Sequence, residues 1–204
     1  MGLISNGSTV FDAGAMAAGF GGALVFIKKL TASNSATLSF VNGASSVVLD
    51  TTYKEYLFTF NNIHAGTDDT GLTFNVSIDG GTNYNVAKTT TFFRATHGED
   101  GSSGALAYVA GADLAQGTGF ARLDNDMGAD NDQCMSGILS LYNPGQTSFV
   151  KHFISRTSVS RPTNRANDVN TSGYANTTTA INAVQFKMNS GNIGSGDICL
   201  YGIG

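Results

Sequence analysis

The chain has 204 residues, of which 13% are charged, with 26 Gly, 2 Pro and a formal net charge of −4. Such a length suits one large domain with a sizeable core, and so low a charged fraction leaves Asn, Ser and Thr to make the polar surface. The 11 Lys and Arg are scattered along an acidic chain, which argues against nucleic acid or an anionic membrane as partner, because no basic stripe is present to displace counterions.

Residues 1–22 are Gly/Ala-rich, with only Leu3, Ile4, Phe11, Met16 and Phe20 as large apolar side chains. They cannot form a core alone. They read as an extended N-terminal arm that orders against a neighbour, ahead of a single domain over 23–204. Asp12 interrupts the apolar stretch early, and Lys28 and Lys29 follow it, so neither an export signal nor a membrane anchor is expected.

From there, short runs of period-two alternation between turn residues predict half-buried strands. The first are 24–30, then 36–40 ending at Asn42-Gly43, then 47–49. The next places Tyr56, Phe58 and Phe60 inward and Leu57, Thr59 and Asn61 outward. The clearest run sets Leu72, Phe74, Val76 and Ile78 on one face and Thr73, Asn75 and Ser77 on the other. It closes on Asp79-Gly80-Gly81, a tight-turn signal because Gly accepts positive φ. Further runs are 89–94, 106–110, 135–142, 149–157, 181–188 and 197–203, with 157–179 between them as a long polar loop. No helix is expected beyond a short turn over 112–116. About ten strands with polar turns and no βαβ rhythm predict an antiparallel β-sandwich, with a jelly-roll-like closure as first choice.

Catalytic signatures are missing. There is no G-x-S-x-G, no H-E-x-x-H and no phosphate-binding Gly-Lys-Ser/Thr loop. The chain is therefore not expected to be an enzyme, and no catalytic, cofactor-binding or metal-ligating residue is assigned. His152 reads as an ordinary strand residue, while His64 (near Asp68 and Asp69) and His97 (before Glu99 and Asp100) sit beside carboxylates without a second ligand at telling spacing. The sharpest polar cluster is 124–132, where Asp124, Asp126, Asp130 and Asp132 surround Gly128. It reads either as a solvated acidic turn or as a Ca²⁺ site, although it lacks the spacing of an EF-hand. Cys134 and Cys199 read as small buried apolar residues, with a bridge between them as the alternative. Tyr84, Tyr108 and Tyr174 are the candidates for a sugar-binding surface in a chain with 0 Trp.

The opening Met1-Gly2-Leu3-Ile4-Ser5-Asn6-Gly7 resembles the start of a family of small virion proteins of marine phages. So do Phe26-Ile27-Lys28-Lys29-Leu30, Leu38-Ser39-Phe40-Val41-Asn42-Gly43, Tyr53-Lys54-Glu55-Tyr56 and the close Gly196-Asp197-Ile198-Cys199-Leu200-Tyr201-Gly202-Ile203. The resemblance runs over nearly the whole chain. It implies a homo-oligomeric phage particle component, tail-fibre-like or capsid-decorating, whose partners are copies of itself and other virion proteins. It transfers no active-site residue. The alternative class is a glycan- or cation-binding module used for attachment to a host surface.

Overall fold

The computed structural model describes residues 24–101 and 103–204, together with the backbone of three short strands before them. Those three are β1 (Leu3–Ser5), β2 (Ser8–Asp12) and β3 (Ala15–Met16), paired antiparallel among themselves. The expected arm over 1–22 otherwise lies outside the described residues.

Twelve further strands follow. They are β4 (Leu24–Ser35), β5 (Leu38–Val41), β6 (Glu55–Ala65), β7 (Leu72–Ser77), β8 (Lys88–Gly98) and β9 (Gly104–Tyr108), then β10 (Ala121–Arg122), β11 (Met135–Tyr142), β12 (Lys151–Arg161), β13 (Arg165–Ala175), β14 (Ala183–Met188) and β15 (Ile193–Ile203). No helix occurs among the described residues. An eight-stranded sheet runs β4-β15-β6-β11-β12-β13-β8-β9 and a four-stranded sheet runs β10-β7-β14-β5, every pairing antiparallel. The expected all-β sandwich is what forms. The jelly-roll closure expected from strand count is not established by this order, which gives one sheet eight strands and the other four.

The sheets face each other because each brings an apolar set to the same interior. Tyr56, Phe58 and Phe60 of β6 are buried, as are Leu72, Phe74 and Val76 of β7 and Val184, Phe186 and Met188 of β14. Phe186 sits at the centre, its ring 5.3 Å from Phe58 and 5.4 Å from Phe60, both edge-on. Such edge-to-face contacts add to the area term that drives burial.

Three local expectations differ from the fold. The turn at Asp79 does have Gly80 and Gly81 at positive φ (72° and 84°), but it carries the chain from one sheet to the other rather than closing a hairpin. Thr73, Asn75 and Ser77, expected to face outward, are all buried. A segment between β7 and β8 and another near 117–119 cover that face, anchored where Asn75 Nδ2 donates to Tyr84 O (2.6 Å) and Thr118 O (3.0 Å). The buried Lys88 donates to Asn75 Oδ1 (2.5 Å) and Val86 O (2.7 Å), and burial brings its pKa down to about 8. Finally, 157–179 is not a loop. It holds the end of β12, a turn with Asn164 at φ 51°, and then the whole of β13, with only 176–179 beyond it.

β13 stays hidden from a hydrophobicity reading because polar side chains, Thr157 on β12 and Asn167 and Thr171 on β13, share the inward positions with Phe153, Val159 and Val169. Thr157 Oγ1 donates to Leu123 O (2.8 Å) and Thr171 Oγ1 to Arg122 O (3.0 Å). Satisfied in this way, buried hydroxyls cost little. The β-branched threonines also suit an extended backbone.

Candidate functional site

The polar feature with the most structure lies where β8, β12 and β13 run past the end of the small sheet. After β10 the chain continues through 123–133, held by Leu123 N donating to Leu72 O (2.8 Å) and Met127 N to Thr70 O (2.6 Å). The approach to β7 is so close that a Cβ on Gly71 would fall 2.1 Å from the Asp124 carbonyl oxygen. Gly71→Ala should therefore push the two backbones apart and lower stability by about 1–3 kcal/mol, read as a shift of the urea midpoint; an unchanged midpoint would mean that the segment gives way freely.

This segment places its four carboxylates in different environments instead of around one point. Asp124 is fully buried, with Oδ1 accepting from Asp126 N (3.2 Å) and Oδ2 lacking a partner among the described residues. Burial pushes its pKa up to about 7, since the charged form is poorly solvated there. Asp126 Oδ2 pairs with Arg94 Nη1 and with Arg161 Nη2 (2.8 Å). Asp130 and Asp132 are exposed. Gly128 has no positive φ; it leaves room for Gln133, whose Oε1 would lie 1.6 Å from a Cβ there. Among the described residues no three His, Cys, Asp or Glu side chains lie close enough together to hold a metal ion.

Beside Asp126 is a 170 Å³ pocket lined by Arg94, Thr96, Ser103, Ala105, Arg161 and Arg165, among others. Arg94 and Thr96 lie on β8, Arg161 ends β12 and Arg165 opens β13, where the two face each other across the pair. Two buried donors in its wall, Arg161 Nε and Ser103 Oγ, have no partner among the described residues. Nothing local in the sequence marks this site, since it is assembled from arginines on three strands that only the sheet order brings together.

The remaining expected residues are dispersed. His64 donates from Nδ1 to Gln133 O (2.7 Å), the tautomer being set because a carbonyl oxygen only accepts. His97 is exposed at the far end of β8. His152 projects from the start of β12, its ring 6.0 Å from that of Tyr174. Tyr108 and Tyr174 share the outer face of the large sheet, whereas Tyr84 lies in the segment over the small one, so the three do not frame a common groove. A 510 Å³ pocket is lined instead by Tyr142, Asn143, Gln146, Phe149 and His152, with Phe149 73% exposed. Cys134 and Cys199 are free thiols, Cys199 being buried.

The outer face of the eight-stranded sheet is the other candidate. Cross-strand partners point to the same side, so the register joins Phe26, Tyr201, Leu57, Ser140, Ile154 and Ser172 in one rung. A neighbouring rung joins Thr59, Ile138, Arg156, Asn170, Phe93 and Tyr108. Phe26, Phe93, Tyr108, Ile138 and Ile154 are exposed, and Leu106 of β9 is 76% exposed on the same side. The ion pair Arg156–Asp168 (2.7 Å) lies among them.

Compared with known proteins, the chain matches no family model, no curated protein and no solved structure.

Proposed function

We propose that the chain is a structural subunit of a phage-like particle, not an enzyme, and that it assembles through the outer face of its eight-stranded sheet. The observation that carries this reading is the set of large apolar side chains exposed on that one face, Phe26, Phe93, Leu106, Tyr108, Ile138 and Ile154. Exposed apolar side chains gathered on a surface mark an interaction site more often than chance scatter. Between them lie mostly Ser, Thr and Asn, the charges of Arg156 and Asp168 being paired with each other, and the 13% charged fraction of the chain leaves little repulsion between copies. The resemblance of its sequence to small virion proteins points the same way, with a tail-fibre-like or capsid-decorating position in the particle.

A second reading, a glycan-binding module for host-surface attachment, is favoured by the 510 Å³ pocket around Tyr142, Phe149 and His152. An apolar wall with a few polar groups is the usual make-up of a small-ligand site. A glycan array separates the readings, since the assembly reading needs no sugar.

The deciding experiment is the mass in solution by light scattering. The full chain should be a stable oligomer, and Leu106→Asp with Ile154→Asp should reduce it to a folded monomer, because two carboxylates would have to be desolvated in the interface. A full chain that is monomeric at every concentration tested, or an oligomer untouched by the double substitution, would overturn assembly through this face.

A further inference from the structure

We propose that the pocket between Arg94, Arg161 and Arg165 binds a small oxyanion, a sulfate, phosphate or carboxylate group. This goes beyond the assembly reading and is independent of it, since the pocket lies on the inward side of the sheet end and not on its outer face.

Three guanidiniums meet at this point, and the ion pairs there satisfy them only in part. Asp126 takes Arg94 and Arg161 on the same oxygen, and Arg94 Nη1 also donates to Asn125 Oδ1 (2.9 Å). Arg161 Nε is left buried without a partner, and so is Ser103 Oγ on the opposite wall. Arg165 forms no ion pair among the described residues, although Glu99 and Asp100 flank it on its other side. A buried donor without an acceptor is destabilising, and more so when it is charged. The lining itself holds no carboxylate and offers Arg94, Arg161, Arg165 and Ser103 as donors, so the guest that fits is one made of acceptors. Planar guanidinium forks match carboxylate, sulfate and phosphate oxygens better than they match a neutral ligand.

The surroundings strengthen such contacts. The side chains of Arg161 and Asp126 are 15% and 16% exposed, so the charges act through a medium far less screening than water. Thr96 contributes no donor, because its hydroxyl proton is engaged by Asn167 Oδ1 (2.8 Å), so the arginines and Ser103 carry the recognition. The walls facing Arg94 and Thr96 are Ala107 and Ala105, their cross-strand partners on β9, and these small side chains keep the space open. At 170 Å³ the pocket takes an acid group and little else. Asp124, next to Asp126, is held largely protonated below neutral pH by its burial, which lessens the negative charge behind the arginines.

The test is an NMR titration of the full chain with sodium sulfate, sodium phosphate and sodium acetate, each at constant ionic strength. At least one anion should give saturable shifts confined to β8, β9 and the 162–164 turn, with a dissociation constant in the millimolar range. Arg165→Gln and Ser103→Ala should each weaken it roughly tenfold, and neither removes an ion pair. Saturable shifts equally strong in both variants, or none for any of the three anions, would overturn the proposal. A sulfated monosaccharide beside its unsulfated parent fixes the source. Tighter binding than free sulfate assigns the acid group to a sugar, and weaker binding assigns the pocket to the free ion.

Discussion

Replacing Phe186 with alanine should lower folding stability by about 3–5 kcal/mol, the largest loss expected from a single truncation in this core. The ring joins both layers. Phe58 and Phe60 of the large sheet lie 5.3 and 5.4 Å from it, while Phe40 (6.2 Å) and Phe74 (6.4 Å) flank it within the small sheet. Its strand neighbours β7 and β5 pair on either side of β14, so the void could close only by moving both sheets together. Partial collapse of that kind is why such substitutions cost more than the transfer of the lost atoms. Urea unfolding measures it directly. Phe186→Leu, which keeps much of the volume, should lose less, and a loss below about 1 kcal/mol for alanine would mean that the aromatic cluster is not the keystone its geometry suggests.

That cluster was legible in the amino-acid sequence because it alternates with polar residues along β6, β7 and β14. The strand expected over 135–142 has the bounds of β11 as formed. Elsewhere the alternation rule failed for a definite reason. On β13 the inward positions are Asn167, Val169, Thr171, Gly173 and Ala175, a row with one large apolar side chain. The partners that make those polar groups acceptable, such as the carbonyl of Arg122 for Thr171, come from strands far away in sequence. Thr73, Asn75 and Ser77 misled in the opposite sense. They look like a solvated face, yet a covering segment supplies carbonyls to Asn75 and Thr73 donates to Lys187 O (2.8 Å). Whether a polar face meets water or a second layer is a tertiary fact that period-two patterning does not carry.

The candidate sites divide in the same way. The acidic run at 124–132 could be seen but not interpreted, because its spacing says nothing about which carboxylate turns inward. Asp124 does so, and Asp126 meets two arginines that lie 32 and 35 positions away in the chain. The arginine pocket had no sequence signal at all, since Arg94 reaches Arg161 and Arg165 only because β13 lies between β8 and β12. The outer face was partly readable, in that Ile138 and Ile154 fall at outward positions of apolar runs, but its extent depends on the cross-strand register.

Asp124 leads to the second large effect, a stability that rises as the solution is made acidic. Its folded pKa is about 7, raised above the ordinary 3.8 by burial first, with Asp126 adding repulsion, and backbone N–H donors and Arg161 opposing. A group raised in this way holds its proton in the folded chain while the unfolded chain has released it. Its favourable contribution is complete below about pH 4 and is lost as the pH rises towards 7, above which the slope vanishes. The gap corresponds to roughly 4 kcal/mol at most. Asp79 works in the reverse sense. Hydrogen bonds from Ser77 and Asn83 hold it near 2, so it contributes stability above about pH 4 that is lost only as the pH falls further. Between pH 4 and 7 the buried carboxyl therefore dominates, and the urea midpoint should climb steadily on acidification across that window. Asp124→Asn keeps an oxygen to accept from Asp126 N and cannot ionise, so its midpoint should be nearly flat over the same range. Equal slopes for the two proteins would show that Asp124 is ionised throughout and stabilised by Arg161, in which case the unpartnered oxygen at its Oδ2 position is met by that arginine after all.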